Sequence, residues 1–181
     1  MSVNPLENAA QPKPRRWLRW LLDIVMITLL IVGFRLWQHH GLLDGAAPTF
    51  AYPALNGQTI DLQAYRGKPV LLHFWATWCP MCHLEQDSIS VLHQDQQWQV
   101  LTVAFQSGKA DDVRRYVERE NLRDWIIIAD EDGKLSNQYG IQVVPTTYVL
   151  DAKGNIRFRE VGLTSSWGLR IRLWLTAWLY P

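Results

Sequence analysis

The chain has 181 residues, of which 48% are apolar and 19% charged, with 18 Lys and Arg against 17 Asp and Glu. That is a globular composition, and past Gly45 the count is 13 basic to 14 acidic, which removes the electrostatic basis for binding nucleic acid. Cys79 and Cys82 are the whole cysteine complement, so a framework of structural disulfides is excluded and the pair is either redox-active or a ligand set.

Residues 1–16 open the chain as a polar tail with three prolines and little to bury. Trp17 to Trp37 is an apolar segment of about 21 residues, close to the roughly 20 that a bilayer-spanning helix needs. Arg19 and Arg35 lie at its ends, and Trp17, Trp20 and Trp37 resemble interfacial belts. Lys13, Arg15, Arg16 and Arg19 precede or open it, which predicts a cytoplasmic N-terminus and an exported C-terminal part. The rival is a cleavable signal peptide cut at Gly45-Ala46-Ala47, but that site lies about a dozen residues past the apolar core. Residues 38–47 then read as a linker and residues 48–181 as one domain.

Within that domain, Pro48 to Leu62 predicts a hairpin turning at Asn56-Gly57. Val70 to Trp75 is a short apolar run of strand formers after the breaker Gly67-Lys68-Pro69. After Thr77-Trp78 the period changes: Leu84, Ile89 and Leu92 fit a helix that extends to Gln97, with Pro80 in its first turn. Gln99 to Phe105 is a second core strand, parallel to the first because a helix connects them. Asp111 to Glu120 is a helix with Val113, Tyr116 and Val117 inward, and Trp125 to Ala129 is a buried strand. Asp130-Glu131-Asp132-Gly133 lacks the acidic ligands of a calcium loop further on, so these acids cap the helix Lys134 to Tyr139. Val143 to Leu150 is a strand entered through Pro145, and Asp151 to Asn155 turns it into an edge strand, Ile156 to Val161. From Thr164 a terminal helix packs through Leu169, Leu173 and Trp174.

The chemistry concentrates at Phe74-Trp75-Ala76-Thr77-Trp78-Cys79-Pro80-Met81-Cys82-His83. Cys79 falls at a helix N-terminus, where unpaired N–H groups and the macrodipole favour a thiolate over the free thiol's pKa of about 8.5. Cys82, nearly one turn on, is placed to close a disulfide with it, and a nucleophilic thiol beside a resolving one is the minimum apparatus for thiol–disulfide exchange. Two other readings use the same residues. Cys79-Pro80-Met81-Cys82-His83 also fits covalent haem attachment, although such modules are mostly helical and do not set the motif after a strand. A copper or zinc site on Cys79, Cys82 and His83 lacks the four ligands that zinc prefers.

Over roughly Pro48 to Val161 the sequence resembles the thioredoxin superfamily, nearest to its membrane-anchored extracytoplasmic members, which include the cytochrome c maturation and copper-sensitivity-suppressor types. The resemblance implies an α/β thioredoxin fold, a central mixed β-sheet flanked by helices, preceded here by one N-terminal transmembrane helix. It implies a redox-active Cys79–Cys82 disulfide, a cis bond at Pro145, and a docking surface for protein substrates made by Trp78, Pro80, Val144 and Pro145. Glu85, one turn after Cys82, matches a glutamate of the reductant-like relatives and is expected to move the proton of Cys82. His73 stands where cytosolic thioredoxins carry a buried acid and is read as structural. Ala76 replaces the Thr or Ser of a peroxiredoxin motif. No cofactor is expected. The partners implied are protein thiols and disulfides and, for a reductase in the periplasm, a membrane electron donor of the DsbD type. A disulfide-forming oxidase and a copper-protection protein remain the alternatives.

Overall fold

The computed structural model describes residues 16–38 and 43–181; the N-terminal tail and the start of the linker lie outside the described residues. The chain divides into two units, Met1–His40 and Gly41–Pro181. The first contains helix α1, Arg16–Gln38, over the segment expected to span the membrane. Its described side chains from Trp20 to Gly33 are all exposed, among them Leu21, Leu22, Ile24, Val25, Leu29 and Leu30. Among the described residues, no helix is long and apolar enough to cross a membrane.

The second unit is a thioredoxin-like α/β sandwich. In chain order it comprises β1 (Gly45–Ala46), β2 (Ala51–Pro53), β3 (Thr59–Asp61), β4 (Val70–Trp75), α2 (Pro80–Gln94), β5 (Gln99–Phe105), α3 (Ala110–Arg119), β6 (Ile127–Asp130), α4 (Lys134–Gln138), β7 (Thr146–Leu150), β8 (Asn155–Val161) and α5 (Ser166–Leu179). The main sheet runs β1-β8-β7-β4-β5-β6. β4, β5 and β6 are parallel, while β7 pairs antiparallel to β4 and β8 to β7. Sheets of this kind need cover on both faces, and all six residues of β4 are buried. Its alternation divides the core: Leu71 and Trp75 face the layer with Ile89, Leu92, Leu169 and Leu173, whereas Leu72 and Phe74 face the layer with Leu135, Tyr139 and Ile60.

The expected hairpin forms, β2 against β3, and the turn is closed by Asn56, whose side chain accepts from Gln58 N–H at 3.0 Å. The acids before α4 cap it: the buried Asp130 carboxylate accepts from Leu135 and Ser136 N–H at 3.1 and 2.8 Å. Gly133 sits there at φ 70°, and a Cβ would meet the Phe105 ring at 3.0 Å, so the turn is both left-handed and closely packed.

Five expectations need correction. β8 is not an edge, because β1 pairs with its outer side. α2 stops at Gln94, where Asp95 leaves the helix and its carbonyl accepts from Trp98 N–H. β6 starts at Ile127, and β7 at Thr146, since Pro145 has no N–H to give a ladder. Trp174 is exposed; the third inward residue of α5 is Thr176, which keeps the spacing set by Leu169 and Leu173.

Candidate active site

Cys79 is the N-cap of α2, in extended backbone, with Pro80 opening the helix. Its Sγ accepts from Cys82 N–H at 3.1 Å, which gives a thiolate at this position one of the helix's free donors. The two cysteines are joined in a disulfide, with Cα atoms 5.3 Å apart, and both are nearly buried. The expected pairing is therefore formed.

The loop before the helix is pinned from the β5 side. Thr77 N–H donates to Ser107 Oγ at 3.0 Å, and Trp78 Nε1–H donates to the Gln106 carbonyl at 3.0 Å. These bonds hold the Trp78 ring out in solvent, 58% exposed, beside a disulfide that is not. Sequence analysis did not single out Gln106 and Ser107, and nothing local marks them: they lie about 30 residues away and matter only because β5 ends beside β4.

The opposite wall is the segment before β7. The Val144–Pro145 peptide bond is cis, as the resemblance implied, and the Val144 carbonyl oxygen lies 3.5 Å from Cys79 Sγ. Pro145 presents its carbonyl to Gly162 N–H at 2.8 Å, tying this wall to the end of β8. Trp78, Met81 and Val143 are exposed apolar side chains flanking the buried sulfurs.

Glu85 lies on α2 three residues after Cys82, and the side chains of both are buried. Oε1 accepts from Thr164 N–H at 2.9 Å; Oε2 is buried without a partner. Burial pushes the carboxyl up to about 7, with the Thr164 bond pulling the other way. An acid of that strength, one helical turn from Cys82, can exchange protons at neutral pH. Thr164 was also missed, being 79 residues distant with no signal of its own.

His73 is buried, and its Nδ1 lies 2.9 Å from Thr147 Oγ1. Burial, and then the charge of His93, push it down to about 3, so it is neutral and structural. His83 turns its Nδ1 toward Glu120, 3.7 Å away, and is mostly exposed. Among the described residues there is no group of three or more His, Cys, Asp and Glu side chains arranged to hold a metal ion.

A profile of the AhpC/TSA family matches residues 43–159, from the start of the second unit through most of β8. The chain belongs to that family. It is 35% identical over 155 residues to the thioredoxin-like protein YneN of Bacillus subtilis, covering 80% of this chain and 90% of that protein. It is 30% identical over 143 residues to the thiol-disulfide oxidoreductase ResA of Geobacillus thermodenitrificans, covering 74% and 81%. Among solved structures, the exposed lipoprotein thioredoxin of Streptococcus pneumoniae superposes with a TM-score of 0.63 at 25% identity, over 70% of this chain and 98% of that one. With the Cys79–Cys82 disulfide at the head of α2, the chain is a thiol–disulfide oxidoreductase of the thioredoxin-like class.

Proposed function

We propose that this oxidoreductase works reductively on protein disulfides, outside the cytoplasmic membrane, tethered by its N-terminal segment. The observation that carries the direction is Glu85. A strongly oxidising pair is one whose reduced form is stabilised through its thiolate. Here a buried carboxyl titrating near 7 stands one turn from Cys82, and when ionised it opposes a second negative charge on the sulfurs. That destabilises the reduced pair and favours handing electrons on.

In the reaction, Cys79 thiolate attacks one sulfur of a substrate disulfide. A Cys79–substrate bond forms, the substrate's own bond breaks, and the departing thiolate is protonated from solvent. Cys82 then passes its proton to Glu85 and attacks Cys79 Sγ, releasing the second substrate thiolate, which takes the proton from Glu85. Two electrons have moved from the dithiol to the substrate, and a donor of the DsbD type is needed to return them. Trp78, Pro80, Val144 and Pro145 form the docking surface for the substrate peptide.

The tether rests on α1 and its flanks. The side chains described without a break, Trp20 to Gly33, make only about 21 Å of helix against roughly 30 Å of hydrocarbon. The span needs Trp17 to Arg19 and Phe34 to Trp37 as well, which the sequence supplies as mostly apolar residues. The side chains described from Trp20 to Gly33 are exposed and, apart from Asp23 and Thr28, apolar, a surface of the kind that sits in lipid.

The deciding experiment is the reduction potential of the Cys79–Cys82 pair in the full chain, equilibrated against dithiothreitol and glutathione. A value near thioredoxin's, about −270 mV, is expected; one near the strong oxidant DsbA, about −120 mV, reverses the direction.

A further inference from the structure

Helix α5 has an inner and an outer face. Leu169, Leu173 and Thr176 are buried, while Trp167, Ile171, Trp174 and Trp178 form one stripe on the outside, each between 55% and 72% exposed. Trp174 and Trp178 stack on one another, centroids 6.0 Å apart, rather than on the fold. Three indoles about two-thirds exposed present roughly 300–500 Å² of aromatic surface to water, a patch of the size that marks an interaction surface.

The stripe runs from the start of α5, close to where Thr164 bonds Glu85, toward the pole of the domain away from the cysteines. Cys79 follows the C-terminal end of β4. Trp98, which lines a cleft with Trp167, Ile171 and Trp174, precedes Gln99, the partner of Val70 at the other end of β4. At the far end of α5, the Tyr180 ring lies under the Arg157 guanidinium at 3.8 Å, and Arg157 pairs with Asp151. The turn that Asp151 begins accepts Ala47 N–H on the Gly154 carbonyl at 2.9 Å. Ala47 is where the chain arriving from the N-terminal segment joins the sheet, so attachment and aromatic stripe share one pole. Arg66, Lys68 and Lys153 are exposed there as well, and none of the three belongs to an ion pair among the described residues.

We propose that this pole lies on an anionic phospholipid bilayer, with the α5 tryptophans at headgroup level and the Cys79–Cys82 pair facing away. Indole rings favour that depth because one edge is polar and the body apolar. Unpaired cations at the same pole complement anionic headgroups. The orientation rests on the tether reading: the chain from the N-terminal segment enters the main sheet at this pole, where Gly45 and Ala46 pair with the start of β8. A second copy of the chain would bury the same indoles but would leave the cluster of cations at this pole without a counterpart.

The test uses the full chain reconstituted in vesicles of phosphatidylcholine with or without phosphatidylglycerol, carrying a spin label at headgroup depth. The emission difference between wild type and Trp167→Phe/Trp174→Phe/Trp178→Phe reads these three indoles alone, and unchanged insulin reduction shows that the variant is folded. Quenching of that difference in the anionic vesicles is expected. Arg66→Gln/Lys68→Gln/Lys153→Gln should shift the docked-to-free ratio about fivefold per cation removed. A protein that resists alkaline extraction while its difference emission stays unquenched overturns the docking and leaves the tether standing. One that alkali strips, but whose difference emission was quenched beforehand, keeps the docking and removes the tether. A dimer in detergent that the tryptophan variant abolishes, with no quenching by lipid, assigns the stripe to a second copy and overturns the proposal.

Discussion

Replacing Glu85 by Gln removes a charge and keeps a shape, because the amide oxygen still accepts from Thr164 N–H. In the folded protein the carboxyl is pushed from 4.5 up to about 7 by burial. At 1.36 kcal/mol per unit, that difference is about 3 kcal/mol. The sign follows from proton counting. As pH rises through 4.5 the unfolded chain releases this proton, while the folded chain holds it to about 7. The unfolded state therefore binds fewer protons over that window, and wild-type stability falls as pH rises across it. Glu85→Gln lacks the fall: with the oxidised proteins compared by urea titration, the variant gains about 3 kcal/mol on wild type between pH 4 and pH 8. Turnover with insulin should drop by about 10²-fold or more and lose its inflection near 7, since no group is left to take the Cys82 proton. Parallel stability curves, or a variant that keeps the inflection, would refute the placement of this carboxyl as a buried proton acceptor.

Three further outcomes follow from the same geometry. Cys82→Ser should accumulate a mixed disulfide through Cys79, visible as an adduct mass, whereas Cys79→Ala should show neither adduct nor insulin reduction. His73 is neutral down to about 3 when folded but takes a proton near 6.5 when unfolded. The stability it confers is thus complete above 6.5 and lost as pH falls toward 3, at most about 5 kcal/mol; His73→Gln should flatten the acid limb of a urea series between pH 7 and pH 4. Tyr139→Phe deletes the 2.6 Å bond from the phenol to the Pro48 carbonyl, and thermal melts should report a loss of about 1–3 kcal/mol.

What the sequence discloses is what its local periodicities encode. The buried run Val70–Trp75, the helix opening at Pro80 and the Asn56-Gly57 hairpin appear where the residues placed them. The parallel β4–β5 pair followed from the helix between them. Where two neighbouring residues both suit the core, the pattern fails. Trp174 is apolar and one position past Leu173, yet the 3.6 period carries the inner face on to Thr176, whose hydroxyl bonds the Arg172 carbonyl. Contacts between segments far apart in the chain were invisible for a different reason. Gly45–Ala46 has no strand signal of its own and pairs because β8 offers free backbone groups. The carboxyl of Glu85 could be placed near Cys82 from spacing alone, but its one hydrogen bond comes from the backbone at the start of the terminal helix. Trp125 lies just before its strand and is buried against Trp75, where its indole N–H reaches Ser90 Oγ.

The sulfurs of this disulfide are nearly buried while Trp78, Met81 and Val143 stand out around them. A substrate sulfur has to reach them past these side chains and the Val144 carbonyl, which lies 3.5 Å from Cys79 Sγ. A cystine packed inside a finished domain cannot make that approach; one on an extended, unfolded stretch of chain can. Selection by such a doorway discriminates by the folding state of the client rather than by its side chains.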